Sequence, residues 1–69
     1  MNQNSKQLIA QNVEKLRREK KITKEAMSLA LGFDNSYISK LEKGNINIII
    51  EKLDKIADFL NVETKILFN

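Results

Sequence analysis

Apolar residues recur at helical spacing in two stretches of this chain, one near each end. In residues 7–20 an apolar side chain returns every three or four positions, at Leu8, Ile9, Val13 and Leu16. This spacing predicts an amphipathic helix with one face toward a core. A second stripe predicts a later helix, whose core residues are Ile50, Leu53, Ile56, Ala57 and Leu60.

Two shorter helices are predicted between these stripes. Thr23 suits the N-cap of a helix over residues 24–31, because its hydroxyl can accept a free amide hydrogen of the first turn. Gly32 and Gly44 are each predicted to end a helix, since glycine adopts the left-handed conformation at little cost. Two short helices joined by a tight turn that contains glycine indicate a helix-turn-helix.

The third predicted helix, at about residues 35–43, separates a narrow apolar edge from a polar surface. Asp34 is its predicted N-cap, and Ile38 and Leu41 form the edge that faces the core. The polar surface carries short side chains and lysines but no carboxylate: Asn35, Ser36, Ser39, Lys40 and Lys43. Such groups match the base edges and phosphates of a DNA major groove. The alternative interpretation is an ordinary solvated helix face.

Composition limits the chemistry that this chain can perform. Its 69 residues are predicted to form one domain over residues 7–69, after a flexible polar tail over residues 1–6. The chain contains no cysteine and no histidine, which excludes disulfides and removes the commonest metal ligand and general base. It has no glycine-rich phosphate loop either. We therefore expect no enzyme activity, cofactor, metal or small-molecule substrate.

The positive charge of the chain is concentrated in its first 43 residues. The formal net charge is +3, from 12 basic and 9 acidic side chains. Residues 1–43 carry 9 basic and 5 acidic side chains (+4), whereas residues 44–69 carry 3 and 4 (−1). An anionic partner on the side of the 35–43 helix is therefore expected. No apolar run is long enough to span a bilayer and no signal peptide is evident, which predicts a cytoplasmic protein.

The stretch ITKEAMSLALGFDNSYISKLEKG resembles the helix-turn-helix of the Xre family, which includes the lambdoid phage repressors and Cro. The segment EKLDKIADFLNVETKILF is similar to the family's fourth and fifth helices. The resemblance implies an all-α, compact five-helix, lambda-repressor-like domain. It also implies a transcription regulator that binds a palindromic operator in double-stranded DNA as a homodimer. The small controller proteins of restriction–modification systems are a similar subgroup.

The predicted recognition helix and its neighbours are expected to make two kinds of DNA contact. Phosphate contacts are expected from Lys24, Tyr37 and Lys43. Base contacts are expected from Asn35, Ser36, Ser39 and Lys40. For Tyr37 the alternative is packing against the second helix.

The family resemblance implies one structural pair and shows three departures. The pair is Arg17 with Glu42, which would tie the first helix to the end of the recognition helix. Lys24 stands where glutamine is common in the family, Ile46 where a basic residue is frequent, and Asp34 where many members have serine or threonine.

The isoleucine-rich segment and the last apolar residues predict a homodimer interface, formed by Ile48, Ile49, Leu67 and Phe68. The alternative is that the fifth helix folds these residues under. A second functional hypothesis keeps the same fold: an antitoxin-like or other protein-binding module.

Overall fold

The computed structural model describes residues 4–69, which form four α-helices and a C-terminal 3-10 helix. The elements in chain order are α1 (Ser5–Glu19), α2 (Lys24–Ala30), α3 (Tyr37–Glu42), α4 (Ile50–Phe59) and the 3-10 helix (Thr64–Phe68). The prediction of an all-α helix-turn-helix domain is confirmed. The prediction of five α-helices is wrong, because the last element is only a five-residue 3-10 helix.

The 3-10 helix is held by a side chain of α1. Asn12 donates from Nδ2 to the carbonyl oxygens of Leu67 and Asn69, at 2.9 Å each. These carbonyls are thus satisfied without a further helical turn. Five residues also allow little more than one turn, a length at which 3-10 geometry is common.

Helix α1 begins earlier than the sequence pattern indicates. Asn4 is its N-cap, and the Asn4 Oδ1 atom accepts a hydrogen bond from the Gln7 amide at 2.9 Å. Helix α1 therefore begins at Ser5, inside the segment predicted as a flexible tail. Residues 1–3 of that predicted tail lie outside the described residues.

Both glycines lie where helices end, as predicted, with φ angles of +77° at Gly32 and +76° at Gly44. Beyond α2, the amide of Gly32 donates to Leu29 and that of Phe33 donates to Ser28, at 3.0 and 2.9 Å. This pair of hydrogen bonds is the Schellman motif, which turns the chain sharply toward α3. The predicted cap Thr23 is also confirmed, since its Oγ1 accepts from the Ala26 amide at 3.0 Å.

The predicted N-cap Asp34 is wrong. Helix α3 begins at Tyr37 with Ser36 in the cap position, and the Ser36 side chain makes no capping hydrogen bond. The Asp34 carboxylate instead accepts from the Ser36 hydroxyl at 2.8 Å, and the Asp34 carbonyl accepts from the Tyr37 amide at 2.9 Å. Asp34 is therefore the first residue of a turn over residues 34–37 that leads into α3.

The core lies where all five elements meet, and α3 packs against both α1 and α2. Its buried apolar residues are Ile9, Ala10, Val13, Met27, Ile38, Leu41, Leu53, Ile56, Ala57, Leu60 and Leu67. The predicted stripe on α4 is confirmed except at Ile50, which is 61% exposed because it is the first residue of the helix. No helix within residues 4–69 is both long and apolar enough to cross a membrane.

Candidate nucleic-acid interface

A serine hydroxyl on α2 holds the beginning of α3. Ser28 is fully buried, and its Oγ donates to the Lys24 carbonyl at 2.9 Å within α2. The same oxygen accepts from the Ile38 amide at 3.0 Å. Because Ile38 is the second residue of α3, Ser28 satisfies one of the free amides at that helix terminus. The cap that α3 lacks in its own sequence is thus supplied by the preceding helix.

An ion pair holds the other end of α3. Arg17 of α1 donates from Nε to one Glu42 carboxylate oxygen at 2.8 Å and from an Nη atom to the other at 3.1 Å. A further Nη donates to the Ile22 carbonyl at 2.7 Å. The exposed fractions of the two side chains are 8% and 4%, so this is the expected Arg17–Glu42 pair in its shielded form. The hydrogen bond to Glu42 raises the pKa of Arg17, and the guanidinium is charged at any working pH.

Arg17 of α1 and Ser28 of α2 are both buried polar residues, and the side chains of both contact α3. Ser28 contacts the first turn of α3, and Arg17 contacts its last residue. We call the Ser28–Ile38 hydrogen bond and the Arg17–Glu42 pair the inner contacts. They fix the position of α3 from the side of the core.

The opposite side of α3 and the residues beside it are what we call the outer face: Asn35, Ser36, Ser39, Lys40 and Lys43. Asn35, Lys40 and Lys43 are exposed, and the two serines are half-buried. Within the described chain, Ser36 alone of these five side chains makes a hydrogen bond, to Asp34. Lys24 is exposed at the first position of α2. The outer face therefore presents donors and acceptors whose hydrogen-bonding capacity is open to a ligand.

Tyr37 is half-buried at the start of α3. Its ring packs on Phe33 with centroids 4.7 Å apart and planes tilted by 58°. The predicted alternative is packing of Tyr37 against the second helix. The Tyr37 ring instead contacts Phe33, which lies in the turn after α2. Burial raises the pKa of the Tyr37 phenol, so the hydroxyl, which is protonated at neutral pH in any case, remains a hydrogen-bond donor at more alkaline pH than an exposed tyrosine.

The residues predicted as a homodimer interface separate in the structure. Leu67 is fully buried in the core, so its side chain is not available to a partner and this part of the prediction is wrong. Its place in the 3-10 helix points it inward, as the alternative of the last element folding under expected. Ile48 is half-buried, whereas Ile49 and Phe68 are exposed. Ile50 and Ile66 are exposed as well, and we call Ile49, Ile50, Ile66 and Phe68 the apolar edge.

The arrangement of α2, the turn and α3 is that of a DNA-binding helix-turn-helix domain. A helix-turn-helix family model (HTH_3, the Xre type) matches residues 13–67, and this chain belongs to that family. Its members are DNA-binding transcription regulators rather than a class of enzymes.

Individual relatives agree with this assignment. The chain is 37% identical over 57 residues to the uncharacterized HTH-type transcriptional regulator y4dJ of Sinorhizobium fredii, a match that covers 83% of this chain and 74% of that protein. The crystal structure of the hypothetical transcription factor NHTF from Neisseria is similar with a TM-score of 0.92 and 26% identity, covering 96% of this chain and 76% of that one. The restriction-modification controller protein C.AhdI from Aeromonas hydrophila is similar with a TM-score of 0.83 and 28% identity, covering 91% of both chains.

Proposed function

We propose that this protein is a sequence-specific transcription regulator that binds a palindromic operator as a homodimer, with α3 in the major groove. The observation that carries the proposal is the contrast across α3. The inner contacts fix the helix from the core side, and the outer face presents amide, hydroxyl and ammonium groups, with the exposed Asp34 carboxylate beside it on Ser36. A rigidly placed helix with free polar groups is what direct contact with base edges requires.

The proposed contacts divide by chemistry. Asn35, which precedes α3, can pair through its amide with the N6 and N7 atoms of adenine, and Lys40 can donate to O6 and N7 of guanine. The hydroxyls of Ser36 and Ser39 add short-range donors and acceptors. Phosphates are proposed to contact the Lys24 and Lys43 ammonium groups and the Tyr37 hydroxyl.

The second copy is proposed to dock at the apolar edge. Ile49 occupies the N-cap position of α4, and no side chain caps that helix. Ser, Thr, Asn or Asp at an N-cap is worth about 1 kcal/mol relative to an apolar residue, so the domain alone gains nothing from isoleucine there. Beside it, a groove of about 290 Å³ is lined by Ile9, Ile48, Ile50 and Phe68 among others. Exposed apolar side chains at a groove, here Ile50 and Phe68, favour a protein partner, and two half-sites of a palindrome require two copies.

Binding is tested by fluorescence anisotropy at increasing salt, with a duplex selected from a randomised library and with a scrambled duplex. Several lysine–phosphate contacts per subunit should cost a dimer on the order of 10³-fold in affinity between low and moderate salt, because each contact releases roughly 0.9 counterions. Affinity that does not change with salt would contradict docking in the groove.

Dimerisation is tested by analytical ultracentrifugation of Ile49→Asn and Ile50→Asn. Ile49→Asn should raise the melting temperature by about 4–8 °C because it supplies the missing N-cap, and Ile50→Asn at an exposed position should change it little. In both variants self-association should weaken at least about tenfold, because a buried isoleucine contributes roughly 1.5–3 kcal/mol. Leu29→Asn, at an apolar position of α2 that is 60% exposed, is the matched control. A wild-type monomer that captures another protein through this edge would instead favour the protein-binding module.

A further inference from the structure

Two aromatic rings, one from the turn before α3 and one from its first residue, contact the ammonium groups of two lysines from α4. The Lys52 Nζ atom lies 4.7 Å from the centroid of the Tyr37 ring and 5.4 Å from that of Phe33. The Lys55 Nζ atom lies 5.9 Å from the Phe33 centroid. We call these four residues the aromatic–lysine cluster. Its distances are those of cation–π contacts, which extend to about 6 Å.

The Lys52 and Lys55 ammonium groups have no carboxylate partner within residues 4–69, although α4 carries acidic side chains. A ring face attracts a cation but accepts no full hydrogen bond, so the ammonium donors remain open to an anion. Lys52 is half-buried, and its ammonium lies over two rings. A cation that is already ordered loses less conformational entropy when it binds.

The aromatic–lysine cluster places the Lys52 ammonium near the start of α3 and near the end of α2. Tyr37 is the first residue of α3, so Lys52 lies at the end of α3 where Asn35 and Ser36 precede it. Lys24 begins α2 and Phe33 follows the end of that helix, which spans about 10 Å at 1.5 Å per residue. Positive charge is thus available beyond both ends of α2.

We propose that Lys52, supported by Lys55, is a DNA phosphate-binding residue that α4 contributes to the helix-turn-helix. This inference rests on the proposed function and extends the DNA-binding surface into the half of the chain whose net charge is −1. The rings of Phe33 and Tyr37 hold the ammonium next to α3, and the phosphate takes the place of solvent on its open side. A phosphate contact of this kind adds affinity for any duplex and no sequence preference.

The test compares Lys52→Gln with Lys65→Gln, which removes the same charge from an exposed residue of the 3-10 helix. Affinity for a labelled random-sequence duplex of about 30 base pairs, or three helical turns, is measured by anisotropy between about 50 and 200 mM KCl. Lys52→Gln should reduce the slope of log affinity against log salt by about 0.9 per subunit. For a dimer, the ratio of the wild-type affinity to the Lys52→Gln affinity should then fall by about 12-fold between about 50 and 200 mM KCl. Lys55→Gln should act in the same direction.

Three further measurements make the outcome decisive. Lys52→Arg should retain the wild-type slope, and Lys52→Met, which keeps the apolar stem, replaces Lys52→Gln if the glutamine variant does not fold. The motif selected from a randomised library should be the same for Lys52→Gln and wild type. If the salt slope of Lys52→Gln equals the slopes of wild type and of Lys65→Gln, the inference is overturned and the proposed function is left intact. Loss of a motif position would overturn it in favour of a base contact, and wild-type binding without salt dependence would overturn the proposed function itself.

Discussion

The two faces of α3 differ in where their polar groups find partners. On the inward face, the Ile38 amide and the Glu42 carboxylate are satisfied by buried groups of α2 and α1. On the outer face, Asn35 and Lys40 are exposed and have no hydrogen-bond or ion-pair partner within the described range, residues 4–69. The helix has only six residues, too few to be stable in isolation. Tertiary contacts on one face therefore set its position, and the other face is left free for a ligand.

This difference makes separable predictions. Changes on the inward face should alter the free energy of unfolding, and changes on the outer face should alter DNA binding with little effect on stability. The variants of Glu42, Ser28 and Lys24 below are each paired with a chemically similar change at another site.

The largest expected effect is that of Glu42→Gln on stability. Removing the carboxylate leaves Arg17 charged and shielded, which should lower the free energy of unfolding by about 3–5 kcal/mol in a urea melt. Glu14→Gln is the control, because Glu14 pairs with Arg18 at 2.8 Å in an exposed bridge whose side chains are 37% and 70% exposed. Its cost should be below about 1 kcal/mol. If Glu42→Gln and Glu14→Gln lower the free energy of unfolding equally, the Arg17–Glu42 pair does not fix the position of α3.

Ser28→Ala should have the next largest effect on the free energy of unfolding. The alanine strands the buried Ile38 amide, and an unsatisfied buried donor costs about 1–3 kcal/mol. Ser39→Ala is the control, since Ser39 lies in α3 and has no hydrogen-bond partner in the described part of the chain. Both substitutions exchange serine for alanine inside a helix, so the difference between their urea midpoints reports the loss of the two Ser28 hydrogen bonds, to the Ile38 amide and to the Lys24 carbonyl. A Ser28→Ala protein as stable as Ser39→Ala would mean that the hydroxyl does not fix α3.

On the outer face, Asn35→Ala and Lys40→Ala should leave stability within about 0.5 kcal/mol, as is usual for exposed positions. Each should relax base preference at one or two operator positions per half-site, because a good base contact is worth roughly 1–3 kcal/mol of discrimination. Selection from a randomised duplex library, followed by sequencing, measures the preference of each variant. An unchanged motif in both variants would remove these two residues from the set of base contacts.

The smallest effect is expected at Lys24, beside the outer face. Lys24→Ala should weaken binding to selected and scrambled duplexes alike and reduce the salt slope by about one per subunit. Lys65→Ala is the control for the loss of one charge. If Lys24→Ala instead loses a position of the selected motif, the assigned roles of Lys24 and Lys40 are exchanged.

Much of the fold follows from local signals in the sequence. Helical spacing predicts α1 and α4, and Thr23, Gly32 and Gly44 bound the short helices because capping chemistry depends on neighbouring residues alone. The Arg17–Glu42 pair was implied by family resemblance rather than by spacing.

Contacts between distant residues could not be predicted in this way. Ser28 appears in the sequence as a small polar residue, and its bond to the Ile38 amide exists only once α2 and α3 have packed. Lys52 is likewise an ordinary helix lysine until Tyr37 and Phe33 are brought beneath it. The predictions for Asp34 and Ile50 are wrong because the chain enters α3 and α4 through turns whose geometry the tertiary fold sets.

The central claim, that the outer face of α3 contacts DNA, is tested most directly by NMR titration of the ¹⁵N-labelled protein with its selected duplex. We expect the largest amide shift changes in residues 34–43, together with the side-chain amide of Asn35. Backbone amides of the 3-10 helix, at Thr64 and Lys65, should change little. Saturating duplex that leaves residues 34–43 unshifted, with changes centred on Ile49 and Phe68, would contradict the account and place the ligand on the apolar edge.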